Sequence, residues 1–138
     1  MTRILPPDME LWLTGHLRAA LEADGEDVEV DAKEPDELTT PLERPLIIVR
    51  DDSGARTESI TFDRQVGISV LAGTRTDDRE ARRLSRLAYA IATDTDIALA
   101  AGSPVAAVTG ANGPYAVAED QDVSRRYFTV SYSVVGSW

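Results

Sequence analysis

The chain of 138 residues matches the usual size of one domain, and at that length it can bury roughly two-thirds of the surface its unfolded form exposes. It contains no cysteine, which excludes disulfide scaffolds, cysteine zinc sites and thiol nucleophiles together. A net charge of −10, from 24 acidic and 14 basic residues, argues against tight binding to a nucleic-acid backbone or to anionic lipid, because both need clustered Lys and Arg.

An apolar content of 43% is enough for a core without metals or cross-links. Lys33 is the only lysine among the 14 basic residues, a bias that reads as the imprint of a GC-rich genome rather than a physical requirement. Met1 to Leu5 run straight into Pro6, Pro7, Asp8 and Glu10, so no apolar leader is expected. No apolar run approaches the roughly 20 residues that span a bilayer. The chain is therefore expected to be made in the cytoplasm and to stay soluble.

Pro6, Pro7 and Asp8 predict a helix start, with acid at the positive end of the helix dipole. Met9, Leu13, His16, Leu17 and Leu21 follow at helical spacing, Trp12 lies beside them, and Gly25 predicts the stop. Val28 and Val30 alternate with Glu29 and Asp31 as a short strand. Residues 32–44 carry Pro35, Pro41 and several charges, and predict an exposed loop or arm. Leu46 to Val49 then form a continuous apolar run that ends in the turn cluster Asp51-Asp52-Ser53-Gly54, as a buried strand does. The clearest strand follows: Ile60, Phe62, Val66, Ile68 and Val70 share one face, while Thr61, Asp63, Gln65 and Ser69 share the other. Arg64 interrupts the apolar face, which predicts a bulge or an exposed strand end there.

A second helix is predicted after Gly73, with Thr76 or Asp77 as its cap and Asp77 and Glu80 at capping-box spacing. Its buried stripe is Leu84, Leu87, Ala88 and Ile91, and Asp94 and Asp96 mark a polar exit. Val105 to Thr109 and Tyr115 to Val117 read as two β-like runs joined by a turn at Asn112-Gly113. Phe128, Val130, Tyr132 and Val134 alternate with small polar residues in a last half-buried strand. The order helix, strands, helix, strands predicts a single α+β domain over 1–138, with two helices on one face of a mainly antiparallel sheet.

Residues that carry chemistry are few. No glycine-rich phosphate loop follows a strand, and His16 has no second histidine to pair with. Asp51 with Asp52, and Asp94 with Asp96, lack the ligand count of a calcium loop and read as turn chemistry. A metal-dependent or small-molecule enzyme using these aspartates stays open as a distant alternative. No catalytic residue, cofactor or metal is expected. The feature that stands out is Arg79, Arg82, Arg83 and Arg86, spaced to form one stripe on the second helix, well away from its apolar stripe. Such a stripe is either a solvated helix face or a dock for acidic patches on a neighbouring copy or partner. Asp63 and Arg64 on the long strand, and Glu34, Asp36 and Glu37 on the arm, are further candidates for partner contact.

Four stretches carry a family resemblance: PLIIVRDDSGARTESITFDRQVGISVLAGT (45–74), the helix DDREARRLSRLAYAIATD (77–94), SPVAAVTGANGPYAVAEDQD (103–122) and RRYFTVSYSVVGS (125–137). Their order and spacing resemble the tail terminator, or tail-completion, proteins of long-tailed bacteriophages that infect actinobacteria. The resemblance implies an α+β fold and a homo-oligomeric ring, commonly hexameric, that caps the finished tail tube at the head-proximal end of the virion. One face of such a ring meets the tail tube protein and the other a neck or connector protein. DNA passes its lumen without specific binding, which an acidic chain suits. Another phage neck or connector protein, or a host interaction module, would share the fold class but differ in partners.

Overall fold

Asp8 starts helix α1 (Met9–Ala23) as its cap, its Oδ1 accepting the Leu11 N–H at 3.0 Å, and Gly25, at φ 78°, turns the chain away at the far end. Met9, Leu13, Leu17 and Leu21 are buried along one side. His16 lies beside that stripe rather than in it, half-buried, with its ring stacked on Trp12 at 4.9 Å between centroids. These coordinates form a computed structural model that describes residues 3–138; Met1 and Thr2, the start of the segment read above for a leader, lie outside the described residues.

Five strands make one sheet: β1 (Glu29–Asp31), β2 (Leu46–Asp51), β3 (Thr61–Ala72), β4 (Val105–Val117) and β5 (Ser124–Val135), in the spatial order β1-β2-β3-β5-β4. All pairings are antiparallel except β1 with β2. At the centre, β3 and β5 pair residue for residue from Thr61↔Val135 to Ala72↔Ser124. Alternation along that ladder sends Phe62, Val66, Ile68, Val70, Phe128, Val130, Tyr132 and Val134 to one face, where α1 and α2 (Arg79–Thr93) cover them. Helix α1 lies mainly over β1 and β2, and α2 over β3 and β5. The fold is thus α+β, with both helices on one face as the hydrophobic patterning predicts.

Several local expectations are corrected. Arg64 causes no bulge: the β3 ladder runs unbroken through Arg64↔Tyr132. Its guanidinium lies within 5.7 Å of the Phe62 ring, and its Nη1 donates to the Gly54 carbonyl at 3.0 Å, so the loop between β2 and β3 shelters it on an apolar face. In α2 the residues buried are Ala81, Leu84, Ser85, Ala88 and Ala92, while Leu87 and Ile91 are only half-buried. Four of these five buried side chains are small, so the face of α2 that packs on the sheet is made mostly of Ala and Ser. The capping box does not form either. Asp78 occupies the cap position without a side-chain cap bond, and Glu80 turns to Arg83 instead of back along the chain.

The predicted turn at Asn112-Gly113 is the largest correction. Strand β4 continues through it, and the hairpin reverses later, at residues 118–123. Gly113 (φ 103°) and Pro114 form a bulge instead, one of three register shifts against β5. Gly113 is pinned there, since a Cβ would meet the Tyr127 carbonyl oxygen at 2.9 Å. Asn-Gly favours positive φ, and a bulge uses that as readily as a two-residue turn.

Residues 32–45 form the exposed loop that the sequence predicts, anchored at Leu38 and Leu42 and not a free arm. Parallel neighbours such as β1 and β2 need a crossover connection, and this segment supplies it. It crosses the face opposite the helices, where buried Leu38 and half-buried Leu42 pack on Leu46, Ile48, Leu71 and Val123. That second small core explains why Leu46 to Val49 read as a continuous apolar run: both faces of β2 are covered.

Two substitutions probe this packing. Leu13, fully buried under the sheet, should lose about 3 kcal/mol of stability on Leu13→Ala. Tyr132 donates its hydroxyl to the Ala92 carbonyl at 2.6 Å in the core, so Tyr132→Phe should cost about 1 kcal/mol. Urea unfolding monitored by circular dichroism measures both, and equal losses at the two sites would contradict the packing described.

Candidate interaction surfaces

Arg79, Arg82, Arg83 and Arg86 do share one exposed side of α2. Most of their charge is already answered within the chain. Arg79 grips the Asp77 carboxylate with two bonds, at 2.9 and 3.0 Å. Arg82 donates to Asp78 at 2.8 Å, and Arg126 on β5 reaches the other oxygen of the same carboxylate at 2.9 Å. Arg83 holds Glu26 at 2.7 and 2.9 Å and also pairs with Glu80. Only Arg86 of the four is without an ion pair among the described residues. A partner carboxylate would have to compete with these acids, so the stripe offers less free charge than its spacing implies. The pairing also tunes the acids: hydrogen bonds from Arg79 hold Asp77 down at about 2, and Arg82 and Arg83 lower Asp78 and Glu26 respectively.

The crossover is clasped to β5 by charge. Arg125 donates Nη1 and Nη2 to the two oxygens of Glu34 at 2.7 and 2.9 Å, and Nε to Glu119 at 2.8 Å. Arg125 and Glu119 are shielded from solvent, with side chains 14% and 13% exposed. Burial alone would raise the Glu119 pKa, but the hydrogen bonds from Arg125 and the local backbone outweigh it and the net shift is downward. Nearby, Gln121 accepts the Leu38 N–H at 3.0 Å. Glu34 therefore closes a clasp, whereas Asp36 and Glu37 are exposed on the crossover's outer side.

Asp63 is exposed on the helix-free face, while the Arg64 side chain points to the opposite face; both border a groove that Gly54, Thr109 and Ser131 also line. A different group spans that helix-free face. Arg50 Nη2 donates to the Tyr127 hydroxyl at 2.9 Å and its Nε to Asp52 at 2.7 Å. Tyr127 lies over Gly67, where a Cβ would stand 2.0 Å from the hydroxyl oxygen, and its ring meets Tyr115 of β4 edge-on at 5.8 Å. The paired aspartates act within turns: Asp51 accepts the Ser53 N–H at 2.7 Å and Asp94 the Asp96 N–H at 2.9 Å. Among the described residues, no group of three or more His, Asp or Glu side chains is placed to hold a metal ion, and no helix is long and apolar enough to cross a membrane.

The sequence reading missed two features. The Arg125 clasp had no local signal, because Glu34 and Arg125 are joined only by the fold. The exposure of β4 was hidden by the expected turn, although its lack of charged residues was visible in the sequence. No protein-family model matches the chain, and no curated protein matches it.

Removing one member of a shielded ion pair strands its partner. Arg125→Met should thus destabilise the fold by on the order of 3 kcal/mol and open residues 32–44 to limited proteolysis. Neutralising exposed Asp36 and Glu37 together should shift stability by less than about 0.5 kcal/mol and leave the cleavage pattern unchanged. The acids give a pH dependence with a definite sign. Asp77, Asp78, Glu26 and Glu119 all have lowered pKa values when folded, so the unfolded chain binds more protons in acid. Their contribution is fully present above the ordinary carboxylate values of 3.8 and 4.5 and is lost as pH falls towards about 2. Melting temperature should accordingly drop below about pH 5, after a shallower decline that begins near neutral pH and comes from His16, whose pKa burial lowers; a rise on acidification would contradict the pairing.

Proposed function

We propose that this chain is a tail terminator of a long-tailed bacteriophage, a structural virion protein that assembles into a ring, with six copies expected. The ring caps the completed tail tube, stops its polymerisation and offers a surface for joining the head through a neck or connector protein. The mechanism is binding, with no chemical step. The observation that carries this reading is the far edge of the sheet. Strand β4 runs for 13 residues, exposed along most of its length, and among the described residues no strand lies beyond it. A long unpaired edge is a template for another chain. Support also comes from the order of elements, since the four stretches that carry the family resemblance fall on the β2–β3 hairpin, α2, β4 and β5 of one α+β domain. The net charge of −10 suits a lumen through which DNA slides without adhering.

Light scattering across a concentration series, followed by negative-stain imaging, tests the reading directly. The expected result is a ring with a central hole, formed alone or on added tail tubes, with tube length no longer growing once the chain is present. A chain that neither forms rings nor binds tube ends would overturn the reading. A ring that binds a connector but ignores tubes would transfer it to another neck protein. Neutralising Arg79, Arg82, Arg83 and Arg86 together should weaken whichever of these contacts uses the stripe.

A further inference from the structure

The charged residues are not spread evenly along the chain. All 24 acidic and 14 basic side chains lie in residues 1–96 and 119–126, so 97–118 and 127–138 carry none. The fold brings these two segments together. The first holds β4 and the turn before it, and the second holds most of β5, to which β4 pairs, and the chain beyond it. The result is an edge free of charged side chains from Val105 to Tyr115, with Arg126 and Arg125 beside Ala116 and Val117 at its far end.

This edge is not covered. Ala106, Ala107, Thr109 and Ala111 are exposed along β4. Leu99 is 82% exposed before it, and Tyr115 is 46% exposed towards its other end. Large apolar side chains on a surface without charge form the composition of an interface centre, where charged residues are depleted and aromatic ones enriched. Small side chains between them let another backbone come close. The register shifts and Pro114, which has no N–H to give, interrupt the ladder. The edge is therefore suited to a short paired stretch flanked by side-chain packing, not to an endless sheet.

We propose that this charge-free edge is where a second copy of the same chain sits. The inference rests on the ring reading above and names the face through which its copies join. Charge selects the occupant. Two copies each carry −10, so contacts between their acidic surfaces are repulsive on balance, and the uncharged stretch of β4 is where identical chains approach with least repulsion. A basic partner would be met better by the acidic surface than by a neutral one. The arginine stripe, largely answered by its own acids, is then secondary to this edge.

Ala107→Glu with Ala111→Glu puts charge on exposed positions, and circular dichroism and melting temperature would verify that the variant folds. Sedimentation equilibrium up to millimolar concentration should show self-association weakened about 100-fold. Arg82→Gln with Arg86→Gln should weaken it by no more than about threefold. An independent readout uses the absence of cysteine: a single thiol introduced by Ala111→Cys should react more slowly with maleimide at associating concentrations than when dilute. Unchanged association of the double Glu variant, or a thiol equally reactive at both concentrations, would overturn the proposal. So would a wild-type chain that stays monomeric yet caps tubes, which leaves the terminator reading standing, and so would loss of tube binding in the Glu variant with self-association intact. Self-association through β4 without rings or tube binding would uphold this inference and remove the terminator reading.

Discussion

The unbroken pairing of β3 with β5 is the constraint on which the rest of the structure depends. Each residue of Thr61–Ala72 faces one partner in Ser124–Val135, so a single register decides which side chains go under the helices. A slip by one position would send Phe62, Ile68, Phe128 and Tyr132 outwards and bring Asp63, Gln65 and Ser131 into the core. The cost of burying those polar groups is what holds the register. The same register places Gly67 beneath the Tyr127 ring and Arg125 beside Glu34, so the features of the helix-free face follow from the pairing that builds the helix-covered one.

Much of this was legible in the sequence wherever burial is one-sided. The period-two pattern of β3 and β5, the apolar stripe of α1 and the stops at Gly25 and Gly73 each encode a local choice that the fold keeps. Legibility failed where one local signal served two geometries. Asn112-Gly113 suits a turn and a bulge alike, and pairing of the same strand with β5 on both sides of it decides between them. It failed again where long-range partners set the outcome. Nothing near Glu34 announces Arg125, and the charges at 33–44 suggested a free arm although Leu38 and Leu42 anchor it. In α2 the arginine spacing was read correctly, but Asp77, Asp78, Glu80 and Glu26 were not read as its partners.

Seen as electrostatics, the molecule is divided. Ion pairs gather at the start of α2, along the crossover and in the loop between β4 and β5, where they join elements distant in sequence. Their exposed members contribute little stability singly. Their effect is to fix geometry at the rim while leaving the β4 edge neutral. Charge and its absence are thus segregated in the fold, and β4 itself carries no charged side chain.

The position of β5 also bears on how the chain comes to fold. It is a central strand of the sheet, yet every other strand precedes it in the sequence. During synthesis from the N-terminus, β3 and β4 are complete before the strand that joins them exists. Closing the ladder must bring residues 61–72 to 124–135 across all of α2 and β4, a loop that raises contact order and slows folding. The β2–β3 hairpin and α2 can form early from local contacts, but the sheet is held open until β5 arrives. Completion of the sheet therefore waits on the last of its five strands.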